Sequence, residues 1–224
     1  MKPYPIFLVG LENRHCLVIG GGHEGTAKVK GLLDCEATVT VISPSLTETL
    51  QCWANEGRFT WLARPYQPGD LRGAFLVIAE QGDPETNAQI YAEAEAEGAL
   101  VNVMDDVEHC SFVAGSVVRQ GALTMAISTS GAAPALSVRL RQQFETLFGP
   151  EYAVFLEWMG RLRPYMAATY PKFSERKALW YELVDTDILD LLRAGDEPAA
   201  RQRIGEILGE EALIITNRLS NQKI

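Results

Sequence analysis

The stretch His15-Cys-Leu-Val-Ile-Gly20-Gly-Gly22-His23-Glu24-Gly25 decides the reading of this chain. An apolar run, His15 to Ile19, ends on glycines. Gly25 to Asp34 then has helical composition, and Thr38 to Ile42 is a second run rich in β-branched residues. Strand, helix and strand within about 30 residues describe a βαβ unit and therefore a parallel sheet. Gly20, Gly22 and Gly25 form a GxGxxG fingerprint between the strand and the helix. The first glycine permits a tight turn, the second lets backbone approach a pyrophosphate, and the third allows close helix-to-strand packing. The helix start then offers unpaired N–H groups to phosphate, so dinucleotide binding is expected.

The same rhythm continues with a helical stretch at Thr47–Asn55, a short strand at Phe59–Leu62 and an apolar strand at Phe75–Ala79. An unbroken apolar run of that kind suits a strand covered on both faces. Asp83 as N-cap, Pro84 at the first helical position and Gly98 as terminator delimit a helix ending at Glu97, followed by a strand at Leu100–Met104. After Asp105 the alternation stops: Ser111–Val118 and Ala122–Ser128 read as strands joined by a turn at Gln120 and Gly121. Helices are expected at Pro134–Phe148, Glu151–Ala168, Ser174–Leu192 and Glu197–Leu208, with breaks at Gly149, Pro171 and Gly195. The last dozen residues carry only a weak pattern. Phe155, Leu156, Met159, Leu162 and Tyr165, at helical spacing, read as core or subunit interface.

The chain has 224 residues, 47% of them hydrophobic, and a formal charge of −9. That charge argues against nucleic acid or an anionic membrane as partner, because both require a basic face. No leader-like segment and no apolar run near the roughly 20 residues of a membrane span is present, so a cytoplasmic protein is expected. Cys16, Cys35, Cys52 and Cys110 lack the paired spacing of a zinc site and are expected to be small buried hydrophobes. After the second strand stand Ser43, Pro44 and Ser45, with neither the acid that selects NAD nor an arginine for a 2′-phosphate. Spacing therefore leaves NAD and NADP open; Ser43 or Ser45 can reach a ribose, or Ser45 can cap the next helix.

Pro5-Ile-Phe-Leu8, Leu17-Val-Ile-Gly-Gly-Gly22, Ala27-Lys-Val-Lys-Gly-Leu-Leu33, Asn87, Val101-Asn-Val-Met-Asp105, Ser111-Phe-Val113 and Ile127-Ser-Thr-Ser-Gly-Ala-Ala-Pro134 together resemble the precorrin-2 dehydrogenase family. This family includes the sirohaem synthase N-terminal module and the bifunctional dehydrogenase and ferrochelatase. The resemblance covers about the first two thirds of the chain and rests on several weak motifs in order. It implies an α/β fold: a Rossmann-type parallel sheet at 1–113, a small dimerisation region at 114–148 that makes a homodimer, and a helical C-terminal domain at 149–224. It implies NAD as cofactor and the polycarboxylate tetrapyrrole precorrin-2 as substrate, oxidised to sirohydrochlorin. The family's catalytic aspartate falls at Asp105, where a carboxylate can take the proton released when hydride leaves the tetrapyrrole.

The expected cofactor-binding set is Gly20, Gly22, His23, Glu24, Gly25, Ser43, Pro44, Ser45, Ala79, Asn102 and Val103. Ser128, a position that can bear phosphate in the family, joins Arg119 and Arg139 as expected substrate contacts. Lys28, Lys30 and Arg141 are further sources of local positive charge, and His109 is a candidate proton carrier whose alternative is a surface turn. Gly115 stands where the family usually has proline, Gly131-Ala-Ala-Pro134 replaces a GxSP-like loop, and Ala79-Glu-Gln-Gly-Asp83 lacks the customary threonine. These departures place the insertion of ferrous or cobaltous ion, rather than the oxidation, in question. No tyrosine is followed four residues later by lysine, which removes a short-chain alcohol dehydrogenase. The remaining rival is an NAD-sensing module without catalysis.

Overall fold

The computed structural model describes residues 3–80 and 82–217. The chain divides into two compact units, Met1–Ala114 and Gly115–Ile224.

In the first unit the order is β1 (His15–Ile19), α1 (His23–Leu33), β2 (Thr38–Ile42), α2 (Glu48–Asn55), β3 (Thr60–Leu62), β4 (Leu76–Ala79), α3 (Pro84–Glu97) and β5 (Leu100–Val103). The strands form one parallel sheet in the order β3-β2-β1-β4-β5, the Rossmann arrangement expected from the sequence. Alternate side chains leave the sheet on opposite faces. Cys16, Val18, Val39, Val41, Leu76 and Ile78 meet Val29 and Leu32 of α1 and Leu50 of α2 on one face. Leu17, Ile19, Val77, Val101 and Val103 meet Ile90 and Ala94 of α3 on the other. Both layers are buried, which is why these strands read as continuous apolar runs rather than alternating ones.

The ends of α3 follow their sequence signals. The Asp83 carboxylate accepts from the Thr86 N–H at 2.9 Å, Pro84 opens the helix, and Gly98 closes it at φ 71°. The cap of α2 is Thr47, whose hydroxyl accepts from the Leu50 N–H at 3.3 Å, and not Ser45. Cys16 is fully buried, but Cys35 and Cys110 are only partly so and Cys52 is exposed, so the expectation of four buried cysteines holds for one.

The second unit begins with an antiparallel hairpin, β6 (Ser116–Gln120) and β7 (Leu123–Ile127), turning through Gly121 and Ala122. Residues 111 and 112, expected to open this hairpin, instead line β5. The N–H of Ser111 donates to the Val101 carbonyl at 2.8 Å, and Cys110 bridges to Asn102. Then come α4 (Pro134–Leu147), α5 (Glu151–Thr169), α6 (Phe173–Asp185), α7 (Ile188–Arg193), α8 (Glu197–Leu208) and α9 (Glu210–Asn217). The expected single helix over 174–192 is broken at Thr186, which leaves the helical region at ψ 178° while its hydroxyl donates to the Leu183 carbonyl. That turn lets Leu183 of α6 and Ile188 and Leu192 of α7 all enter one core with Phe155, Leu162 and Met166 of α5 and Ile204 of α8. Among the described residues, no helix is long and apolar enough to cross a membrane.

Candidate dinucleotide site

The registers Ile19↔Ile42 and Ile19↔Ala79 bring the carboxyl ends of β1, β2 and β4 level, and β5 is level with β4 through Ala79↔Val103. The chain order reverses between β1 and β4, and that crevice is where an open α/β sheet takes its ligand. Gly20 sits in it at φ 123°, a conformation closed to residues with a side chain. A Cβ at Gly25 lies 2.8 Å from the Gly20 carbonyl oxygen, so the third glycine serves the close helix-to-strand approach. Gly21, outside the fingerprint, is tighter still: a Cβ there lies 2.2 Å from the Ser45 carbonyl oxygen.

The loop after β2 is fastened to this turn. The N–H of Thr47 donates to the Gly21 carbonyl at 3.0 Å, and the Thr26 and Thr47 hydroxyls lie 2.9 Å apart. The Ser43 hydroxyl donates to the Ser45 carbonyl at 2.7 Å, and the Trp61 indole donates to the Ser43 carbonyl. Pro44 and Ser45 are exposed beside it, as are His23 and Glu24 at the start of α1. The structure therefore brings the glycines and residues 43–45 together. Ala79 and Val103 are buried strand ends, and their carbonyls serve the fold: Ala79 accepts from Met104, and Val103 from Asp106. Asn102 is buried with its amide donating to the Phe112 carbonyl at 3.0 Å, which fastens 110–112 onto β5.

Sequence reasoning did not foresee Glu80. The N–H groups of Gly22 and Gly25 both donate to its Oε2 at 3.0 Å. Its carboxylate stands in for a phosphate oxygen and demonstrates that the loop can hold an anion. A Cβ at Gly22 would lie 2.5 Å from Oε1, so this glycine, too, keeps space open above the backbone. The cradle thus fits the pyrophosphate of a dinucleotide. The available signal was an acid placed directly after the central apolar strand.

Asp105 lies two residues beyond β5, exposed and left-handed at φ 61°. Short polar side chains tolerate that conformation best. Next to it, Asp106 Oδ2 accepts from His109 Nδ1 at 2.8 Å and from the Asn87 amide at 3.1 Å. These bonds, that of His109 first, hold the Asp106 carboxyl below the ordinary carboxylate range. His109 is steadied further by an edge-on contact with Tyr91. Asn87 is buried, and its Oδ1 has no partner among the described residues. In the second unit Ser128 is exposed, its hydroxyl accepting from the Ser130 N–H at 3.1 Å. Arg139 is exposed on α4 and reaches Gln142, and Arg119 is exposed on β6. Lys30 pairs with Asp34. Among the described residues, no group of three or more His, Cys, Asp or Glu is arranged to hold a metal ion.

Three family models match the chain in succession: an NAD(P)-binding family over residues 7–116, the central region of sirohaem biosynthesis proteins over 120–147, and the sirohaem synthase dimerisation region over 151–208. Over residues 120–208 the chain is thus similar to sirohaem synthases and other sirohaem biosynthesis proteins. Sirohaem synthase 1 of Aeromonas salmonicida is 35% identical over 212 residues, covering 94% of this chain and 45% of the relative. The sirohaem synthase of Methylobacillus flagellatus is 36% identical over 208 residues, covering 93% and 44%. The chain thus spans less than half the length of these curated relatives. Among solved structures, SirC, a precorrin-2 dehydrogenase, superposes with a TM-score of 0.72 at 23% identity, covering 91% of this chain and all of SirC. That likeness establishes the shared fold, and the first unit is an NAD(P)-binding domain.

Proposed function

We propose that the chain oxidises precorrin-2 to sirohydrochlorin with NAD, within sirohaem biosynthesis. The single observation that carries the reading is the placement of Asp105. A carboxylate held in a left-handed turn just past β5 belongs to the same sheet edge as the phosphate-binding glycines. When bound, NAD supplies the hydride acceptor. Gly22 and Gly25 hold its pyrophosphate through their N–H groups, and Ser43, Pro44 and Ser45 border its ribose. Loss of hydride from a tetrapyrrole carbon makes a neighbouring C–H acidic, and the Asp105 carboxylate receives that proton. Asp106, fixed by His109 and Asn87, positions the turn that carries Asp105.

Arg119, Arg139 and Ser128 are assigned to the carboxylates of the substrate. Two copies are proposed to pair through the second unit, where Val117, Leu136, Val138 and Leu147 leave apolar side chains exposed.

Anaerobic precorrin-2 and NAD, followed by absorbance, test the reading. The native protein is expected to form sirohydrochlorin and NADH in equal amounts. Asp105→Asn is expected to lose turnover by a factor of about 10²–10⁴ while still binding NADH. Cofactor binding without any oxidation leaves a sensing module instead. Added ferrous or cobaltous ion then reports chelation by a second spectral change.

A further inference from the structure

Glu80 occupies the place that the proposed cofactor needs. Because Ile19 pairs with Ala79, the residue after β4 must stand across from Gly20. The N–H of Glu80 donates to the Ile19 carbonyl at 2.7 Å, which fixes its backbone, and a Cβ on Gly20 would meet the Glu80 Cβ at 2.7 Å. From that anchor the side chain is long enough to reach the start of α1. There one oxygen takes both the Gly22 and Gly25 N–H groups at 3.0 Å. Charge-assisted bonds of this length to the open end of a helix are favourable in the free protein. A pyrophosphate and a carboxylate cannot share the same two donors, and their charges repel at contact distance.

We infer that Glu80 is a resident competitor of the dinucleotide, its carboxylate holding the amides of Gly22 and Gly25 in the free protein and leaving them when pyrophosphate binds. This rests on the reading of the loop as an NAD site and adds a residue that sets the affinity of that site. If the carboxylate is off the amides for about a tenth of the time, the apparent Kd is about tenfold weaker than the loop alone allows. Since the competition lies at the pyrophosphate and not at the ribose, NAD and NADP are penalised by the same factor. Residues lacking a long acidic side chain at position 80 escape the penalty.

The test measures Kd for NAD and NADP by calorimetry on the native chain, Glu80→Ala and Glu80→Gln, together with hydrogen exchange of the Gly22 and Gly25 amides without ligand. Glu80→Ala is expected to bind both dinucleotides about tenfold more tightly, with Glu80→Gln between it and the native chain. The two amides are expected to be protected in the free native protein and to exchange faster in Glu80→Ala. Unchanged or weaker binding by folded variants overturns the inference and leaves the cofactor reading standing. Equal exchange of the amides in native protein and Glu80→Ala overturns it as well. Failure of all three proteins to bind either dinucleotide overturns the cofactor reading and the inference together.

Discussion

Alanine at Gly21 and alanine at Gly22 should fail in opposite ways, although the two glycines are neighbours. A Cβ at Gly21 lies 2.2 Å from the Ser45 carbonyl oxygen and 2.9 Å from both the Leu46 Cδ2 and the Ser43 Oγ. The nearest obstacle is backbone, so the whole 43–47 loop must retreat. Retreat opens the 3.0 Å bond from the Thr47 N–H to the Gly21 carbonyl. Overpacking of this kind costs roughly 1–3 kcal/mol and the lost bond about 1 kcal/mol, giving about 2–4 kcal/mol in all. At about 4 °C per kcal/mol for a unit of this size, Gly21→Ala should melt roughly 8–16 °C lower. At Gly22 the obstacle is only the end of the Glu80 side chain, 2.5 Å away, and the backbone at φ −80° accepts alanine. Gly22→Ala should therefore stay within about 1 kcal/mol of native stability. Its methyl, however, fills the space above the loop, and losing one charge-assisted bond there weakens NADH by about 10–100-fold. Thermal melting and NADH fluorescence titration on the two variants measure both quantities. A native melting temperature for Gly21→Ala, or native NADH affinity for Gly22→Ala, refutes this account of the loop.

Asp106 has its pKa held down in the folded state, so its stabilisation is present above the unfolded carboxylate range and is lost as pH falls through the folded value. Native protein should consequently melt above Asp106→Asn near neutrality, with the gap closing in strong acid; a constant gap across the pH series contradicts the assignment. The Cys16 thiol is pushed up to about 11, chiefly by burial and further by Cys35, whereas Cys52 is exposed. A maleimide at neutral pH should label Cys52 and spare Cys16 in the folded chain, as peptide mass mapping can show. In the second unit Arg193 lies 3.0 Å from Glu151, whose side chain is 5% exposed. Arg193→Met should lower the melting temperature by stranding that carboxylate, and adding Glu151→Gln should recover part of the loss.

What could be read ahead of the structure follows from how local each signal is. The β1 turn, the Asp83-Pro84 start and the Gly98 stop are each written within a few residues, and each stands where expected. The break at Thr186 carries no glycine or proline; it exists because Leu183, Ile188 and Leu192 must reach one core from two helix axes. Helix α9 follows Gly209, whose φ of 92° turns the chain, but its pattern is too short to announce itself. Asn102 stands in the run Val101–Asp105, whose resemblance to the family marks it as a cofactor residue. Its amide is spent on Phe112, ten residues away, and only the folded path of 110–112 reveals that.

Glu80 marks the limit of motif reasoning most sharply. Three glycines before a helix specify a place where backbone N–H groups converge on a negative charge, and they do so through conformation alone. Nothing in that pattern states which negative charge arrives. The β1 and β4 pairing sets residue 80 beside the loop regardless of its identity, so a side chain 55 residues beyond Gly25 decides whether the cradle is open or already filled. With glutamate there, the same two donors that mark the site as one for a dinucleotide also stabilise the free protein. The affinity of such a site is then the difference between two anions competing for one helix end, and a fingerprint that describes only the loop reports only one side of that difference.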